Sequence, residues 1–122
     1  MKIRIRDNSL RIRLSKSEVE LFNEEGYLQA QTDFGSNIFY YAVKRTDEES
    51  MSAEFIDAHL TLFIPQPLLE KWASTNLVGL EYSLPTNNGS HLHLLLEKDF
   101  KCIDAVVTED QSDYFENPAK SC

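Results

Sequence analysis

The chain has 122 residues, 42% of them apolar and 26% charged, with a formal net charge of −8. That is enough apolar material for one folded domain, which excludes a disordered chain and a disulfide-stapled miniprotein. The acidic balance argues against general nucleic-acid binding, and no apolar run reaches the roughly 20 residues of a membrane span.

Lys2-Ile3-Arg4-Ile5-Arg6 and Leu10-Arg11-Ile12-Arg13-Leu14 alternate charged and apolar residues around Asp7-Asn8-Ser9. This is a β-hairpin pattern. A two-residue turn at Asn8-Ser9 predicts Arg6 opposite Arg11, Ile5 opposite Ile12, Arg4 opposite Arg13 and Ile3 opposite Leu14. The Ile and Leu side chains then share the inner face and the arginines the outer one. Ser15-Lys16-Ser17-Glu18 reads as a capping box with Ser15 as N-cap. Val19, Leu21 and Phe22 supply the apolar stripe of a short helix, and Gly26 closes it in the left-handed conformation. Tyr27 to Phe34 and Asn37 to Arg45 read as strands around a turn at Gly35-Ser36.

The pattern then restarts 50 residues on. Met51, Phe55, Asp57, Leu60, Leu62 and Ile64 fall where Met1, Ile5, Asp7, Leu10, Ile12 and Leu14 stood. A second helix opens at Pro65-Gln66-Pro67, with Pro67 in its first turn and Leu69 and Trp72 in the places of Val19 and Phe22. Val78 to Leu84 and His91 to Phe100 complete the unit, with Gly79 as a candidate bulge. The chain therefore reads as α+β, with two ββαββ units (1–46 and 51–100). Neither unit buries its own sheet face alone, so the expectation is one shared core with a pseudo-two-fold axis. The expected sheet is mainly antiparallel and curved or barrel-like, with two helices. Residues 101–122 are expected to form an irregular acidic tail docked on the domain 1–100.

Charge is distributed unevenly. Lys2, Arg4, Arg6, Arg11, Arg13 and Lys16 stand against Asp7 alone in the first 16 residues, a local balance of +5 against −13 for the remainder. Directly opposed arginines repel unless something neutralises them, and guanidinium groups hold carboxylates and phosphates in a fork. Three readings follow. The hairpin is a solvated edge whose charges discourage aggregation. Alternatively, the segment Glu109 to Glu116 folds back on it, with Tyr114-Phe115 on the guanidinium planes. In the third reading Arg4, Arg6, Arg11 and Arg13 bind an anionic ligand or an acidic protein segment.

Catalytic signatures are sparse. There is no Gly-rich phosphate loop, HExxH helix, GxSxG elbow or CxxC pair. His91 and His93 alternate on one strand face and, with Cys102, are the candidate metal ligands. Glu97-Lys98-Asp99 adds carboxylates and an amine for an enzyme reading of the same stretch, which needs them buried in a pocket; the ordinary meaning of such a segment is a solvated strand end. No metal and no cofactor are expected, and an enzyme is not favoured. Cys102 and Cys122 suggest reduced thiols in a cytoplasmic protein. Single-strand nucleic-acid binding remains a further alternative, and a monomer or a homodimer is expected.

The opening Met1 to Ser15, together with Val78-Gly79-Leu80-Glu81, Leu96 to Cys102 and Glu109 to Pro118, resembles a family of short, uncharacterised bacterial proteins, a domain of unknown function. The resemblance implies a bacterial cytoplasmic source and assigns no catalytic residue.

Overall fold

The computed structural model describes residues 1–100, Asp113 and Phe115. Its elements run β1 (Lys2–Arg6), β2 (Ser9–Leu14), α1 (Lys16–Glu25), β3 (Tyr27–Asp33), β4 (Ile38–Thr46), β5 (Ser52–Ile56), β6 (His59–Pro65), α2 (Gln66–Ser74), β7 (Gly79–Pro85) and β8 (His91–Lys98). The strands form two four-stranded sheets, β1-β2-β8-β7 and β3-β4-β6-β5. This corrects the expected single barrel-like sheet. Each sheet takes one hairpin from each half of the chain, joined through a central parallel pair, β2 with β8 and β4 with β6. The other four pairings are antiparallel. Both sheets therefore stay open, with β1, β7, β3 and β5 at their edges.

One buried cluster joins the sheets and the helices. Leu10, Ile12 and Leu14 of β2 and Leu94 and Leu96 of β8 meet Val43, Leu62 and Ile64 of the second sheet. Val19 and Phe22 of α1 and Leu69 and Trp72 of α2 complete it. These positions follow the alternation of the strands and the i, i+3 spacing of the helices.

The helix boundaries have local causes. Glu18 closes the capping box by accepting the Ser15 N–H at 2.9 Å. Gly26 ends α1 at φ +74°, with its N–H donating to the Phe22 carbonyl at 2.7 Å. A Cβ there would also lie 2.7 Å from the Arg45 guanidinium carbon. Two constraints thus select glycine at this position.

The opening hairpin departs from the expected register. Its turn is Asp7-Asn8, so Arg6 faces Ser9, Ile5 faces Leu10, Arg4 faces Arg11, Ile3 faces Ile12 and Lys2 faces Arg13. Asp7 takes φ +48°, a conformation that Asp tolerates better than most residues. Ser9 instead joins the strand and donates its hydroxyl to the Arg6 carbonyl at 2.7 Å. Both strands keep their faces, but only one Arg–Arg pair is directly opposed instead of two. The turn is fastened to β8, with the Asn8 carbonyl accepting the His93 N–H at 2.9 Å.

Gly79 is also not a bulge. The β7–β8 register runs unbroken from Gly79–Glu97 to Pro85–His91. A Cβ on Gly79 would come within 2.9 Å of the Leu96 carbonyl oxygen, so close strand approach is the reason for glycine.

Candidate arginine site

The registers place the outward side chains of the first sheet in three rows. Lys2, Arg13 and Glu97 lie in the first, with Gly79 at its end. Arg4, Arg11, Leu95 and Glu81 form the second, and Arg6, Ser9, His93 and Ser83 the third. Five cationic side chains thus share a face with two carboxylates in a protein of net charge −8. The equivalent rows of the second sheet carry Lys44 and Glu54 as their charges, among Tyr27, Phe63, Tyr40 and His59. Tyr40 and His59 stack there at 4.3 Å between ring centroids.

The two carboxylates on the charged face already have partners. Glu97 Oε1 lies 3.0 Å from Arg11 Nε and 3.8 Å from Arg13 Nε. Glu81 lies 3.5 Å from His93 Nε2. Lys2 reaches over to Asp99 at 3.0 Å. Arg4 and Arg6 make no ion pair among the described residues. They line, with Arg11, Ser9, His93, Glu81, Leu10 and Leu95, a half-open cavity of about 310 Å³. A shallower depression of about 70 Å³ lies beside it, lined by Lys2, Ile3, Arg4, Arg11 and Arg13. Three of the four predicted arginines therefore share one cavity, and Arg13 stands next to it.

Because Glu97 competes for Arg11, Glu97→Gln is expected to strengthen binding of an added anion such as citrate several-fold. Isothermal titration of both proteins checks this. The direction follows from removing a negative charge beside the site, and the gain should shrink as salt is added.

The metal and enzyme candidates are not brought together among the described residues. Glu97 is occupied by Arg11, Asp99 by Lys2, and His93 faces Glu81. His91 is exposed at the strand start and does not line the cavity. Among the described residues no three His, Cys, Asp or Glu side chains gather as a metal site. Cys102 lies outside the described residues.

Of the acidic tail, Asp113 and Phe115 are described. Asp113 sits at the start of α1, where its carboxylate accepts the Ser17 hydroxyl at 2.6 Å and the Ser17 N–H at 3.1 Å. The Ser17 hydroxyl, then the Ser15 hydroxyl and the Ser17 N–H, hold its carboxyl below the usual aspartate range. The Phe115 N–H donates to the Asp99 carbonyl at 2.6 Å. The Phe115 ring meets Phe100 edge-on at 5.7 Å and the Lys98 ammonium at 5.4 Å, rather than a guanidinium.

Lys98, read from the sequence as the amine of a solvated strand end, is instead buried. It falls on the inner face of β8 after Leu92, Leu94 and Leu96, and only 6% of it is exposed. Its ammonium donates to the Thr75 carbonyl at the C-terminal end of α2, at 2.7 Å. It also lies 5.8 Å from the Trp72 ring centroid. A cation there satisfies an orphan carbonyl and the negative end of the helix. Burial lowers its pKa below the ordinary lysine value of 10.5. Between the lowered value and 10.5 the unfolded chain binds more protons than the folded one, so this group's contribution to stability rises with pH across that window. Urea denaturation should therefore show wild type gaining on Lys98→Met as pH rises towards 10.5. A pH-independent difference would contradict this assignment.

The geometry can be set beside known proteins. The chain belongs to a family of unknown function, DUF7009. The match spans residues 1–119, and so contains the whole arginine face. No curated protein and no solved structure matches the chain significantly. Among the described residues of this DUF7009 member, no helix is long and apolar enough to cross a membrane.

Proposed function

We propose that this chain is a binding or accessory module whose arginine face holds an anionic group, a carboxylate or a phosphate. The observation that carries the reading is the pair Arg4 and Arg6, two guanidiniums without ion-pair partners among the described residues beside a cavity of about 310 Å³. That volume falls at the lower end of the range of small-ligand pockets. Arg11, half-occupied by Glu97, and His93 stand within the same lining. The charge is local to one sheet face, which reconciles an anion site with an acidic protein: steering acts at the face, while the remainder repels polyanions.

The same arrangement of hairpins and central parallel pair in both sheets supports reading residues 1–46 and 51–100 as copies of one ancestral unit. In that reading the arginine face is an addition to the scaffold, because the second unit carries Glu54, Ile56 and Thr61 where the first has Arg4, Arg6 and Arg11. A bacterial cytoplasmic setting goes with the family resemblance.

The test is isothermal titration of the purified chain with citrate and with pyrophosphate at low and high salt. Saturable binding that weakens with salt and is lost in Arg4→Gln/Arg6→Gln is expected. Binding equal in wild type and variant would reject the site. Tighter, salt-dependent binding of oligothymidylate than of either small anion would favour the nucleic-acid reading instead.

A further inference from the structure

We infer that the β1 edge accepts an extended acidic segment of a partner protein as an added strand, with its carboxylates on Arg4 and Arg6. This rests on the arginine face being an anion site and goes on to name the kind of partner.

The two sheets have four edge strands. β7, β3 and β5 each carry one carboxylate and no cation: Glu81, Asp33 and Glu54. β1 carries Lys2, Arg4 and Arg6 and no carboxylate. Among the described residues it is the only sheet edge whose charge suits an acidic strand.

The backbone of β1 is arranged for the same partner. A two-residue turn makes Arg6–Ser9 a hydrogen-bonded pair, and such pairs alternate along an antiparallel ladder. The N–H and C=O groups of Ile3 and Ile5 therefore point away from β2, towards the open edge. An incoming strand that pairs with them has residues at i and i+2 on the face of Arg4 and Arg6, spaced as those arginines are. Its intervening residues fall beside Ile3 and Ile5 on the opposite face, where Ile5 is 63% exposed. The matching sequence alternates acidic and apolar residues, in the manner of β-strand addition. A second copy of β1 is disfavoured, because like charges would meet directly across the new ladder.

The experiment uses the full chain and three probes: a peptide alternating glutamate with valine, the same peptide with proline for each valine, and citrate. The alternating peptide is expected to bind about tenfold or more tightly than the proline peptide, a difference of roughly 1.4 kcal/mol. On binding, amide exchange at Ile3 and Ile5 should slow by a similar factor. Ile5→Pro, tolerated on an edge strand, should abolish the preference while leaving citrate binding unchanged. Equal binding of the two peptides, or unaltered exchange at Ile3 and Ile5 in the wild-type complex, overturns strand addition. If citrate still binds in that case, the arginine site stands without it; if citrate also fails, the site reading itself falls. Displacement of the alternating peptide by oligothymidylate at lower concentration than by citrate would also overturn the inference, in favour of nucleic acid.

Discussion

Trp72→Ala is expected to destabilise the chain by about 3–5 kcal/mol, more than other single truncations in the core. The indole is fully buried among residues contributed by both sheets and both helices. Its removal leaves a cavity at the point where those layers meet, and the surroundings cannot close over it without moving a helix. The hydrogen-bond loss is the smaller part. Trp72 Nε1 donates to the Val78 carbonyl at 3.0 Å, but that carbonyl also accepts the Lys98 N–H at 3.0 Å and keeps a partner. Lys98 loses an aromatic neighbour at the same time. Domains of this size are held by about 5–15 kcal/mol, so roughly a fifth or more of the stability goes. Circular dichroism should record a melting midpoint lower by about 10–20 °C.

The second large effect concerns binding. Arg4→Gln/Arg6→Gln should weaken citrate or pyrophosphate binding by about tenfold or more while leaving the melting temperature within a few degrees of wild type. A hydrogen bond to a charged group is worth about 1.5–3 kcal/mol. Exposure of both side chains puts each at the low end of that range, roughly tenfold in affinity. The two stand two residues apart on one strand and contact one ligand, so their effects should combine less than additively. Stability is little affected because neither side chain is buried and neither has an ion pair among the described residues to lose.

Much of the fold is legible locally. The alternation from Lys2 to Leu14, the box Ser15 to Glu18 and the glycine at position 26 each specify an element through a short-range cause, and each element forms. The turn shows where such reasoning ends. Asp7-Asn8 and Asn8-Ser9 are both acceptable turn dipeptides, and moving between them preserves every strand face. Apolar patterning therefore could not choose the register, and the number of opposed arginine pairs depended on it. The pairing of β2 with β8 and of β4 with β6 was also not legible, because an inward Leu/Ile face suits a parallel or an antiparallel neighbour. Those pairings divide the expected barrel-like sheet into two.

The same distinction holds for the site. Arginines on alternate positions are visible as one face in the sequence. The convergence of His93 and Glu81 on that face is not, since it requires β8 to lie beside β2. Lys98 was detectable in principle. It sits at the right parity to continue Leu92, Leu94 and Leu96 inward, but a charged residue at a strand end reads by default as solvated. Only the end of α2 arriving beside it explains its burial.

The central claim is that Arg4 and Arg6 hold an anionic group. The most direct measurement is a citrate titration followed by the arginine side-chain Nε–Hε resonances of the isotope-labelled chain. Saturable shifts of Arg4 and Arg6 with one shared Kd are predicted, with Arg45, packed over Gly26 in the other sheet, unmoved. Shifts that never saturate, or equal shifts at Arg4, Arg6 and Arg45, would contradict it.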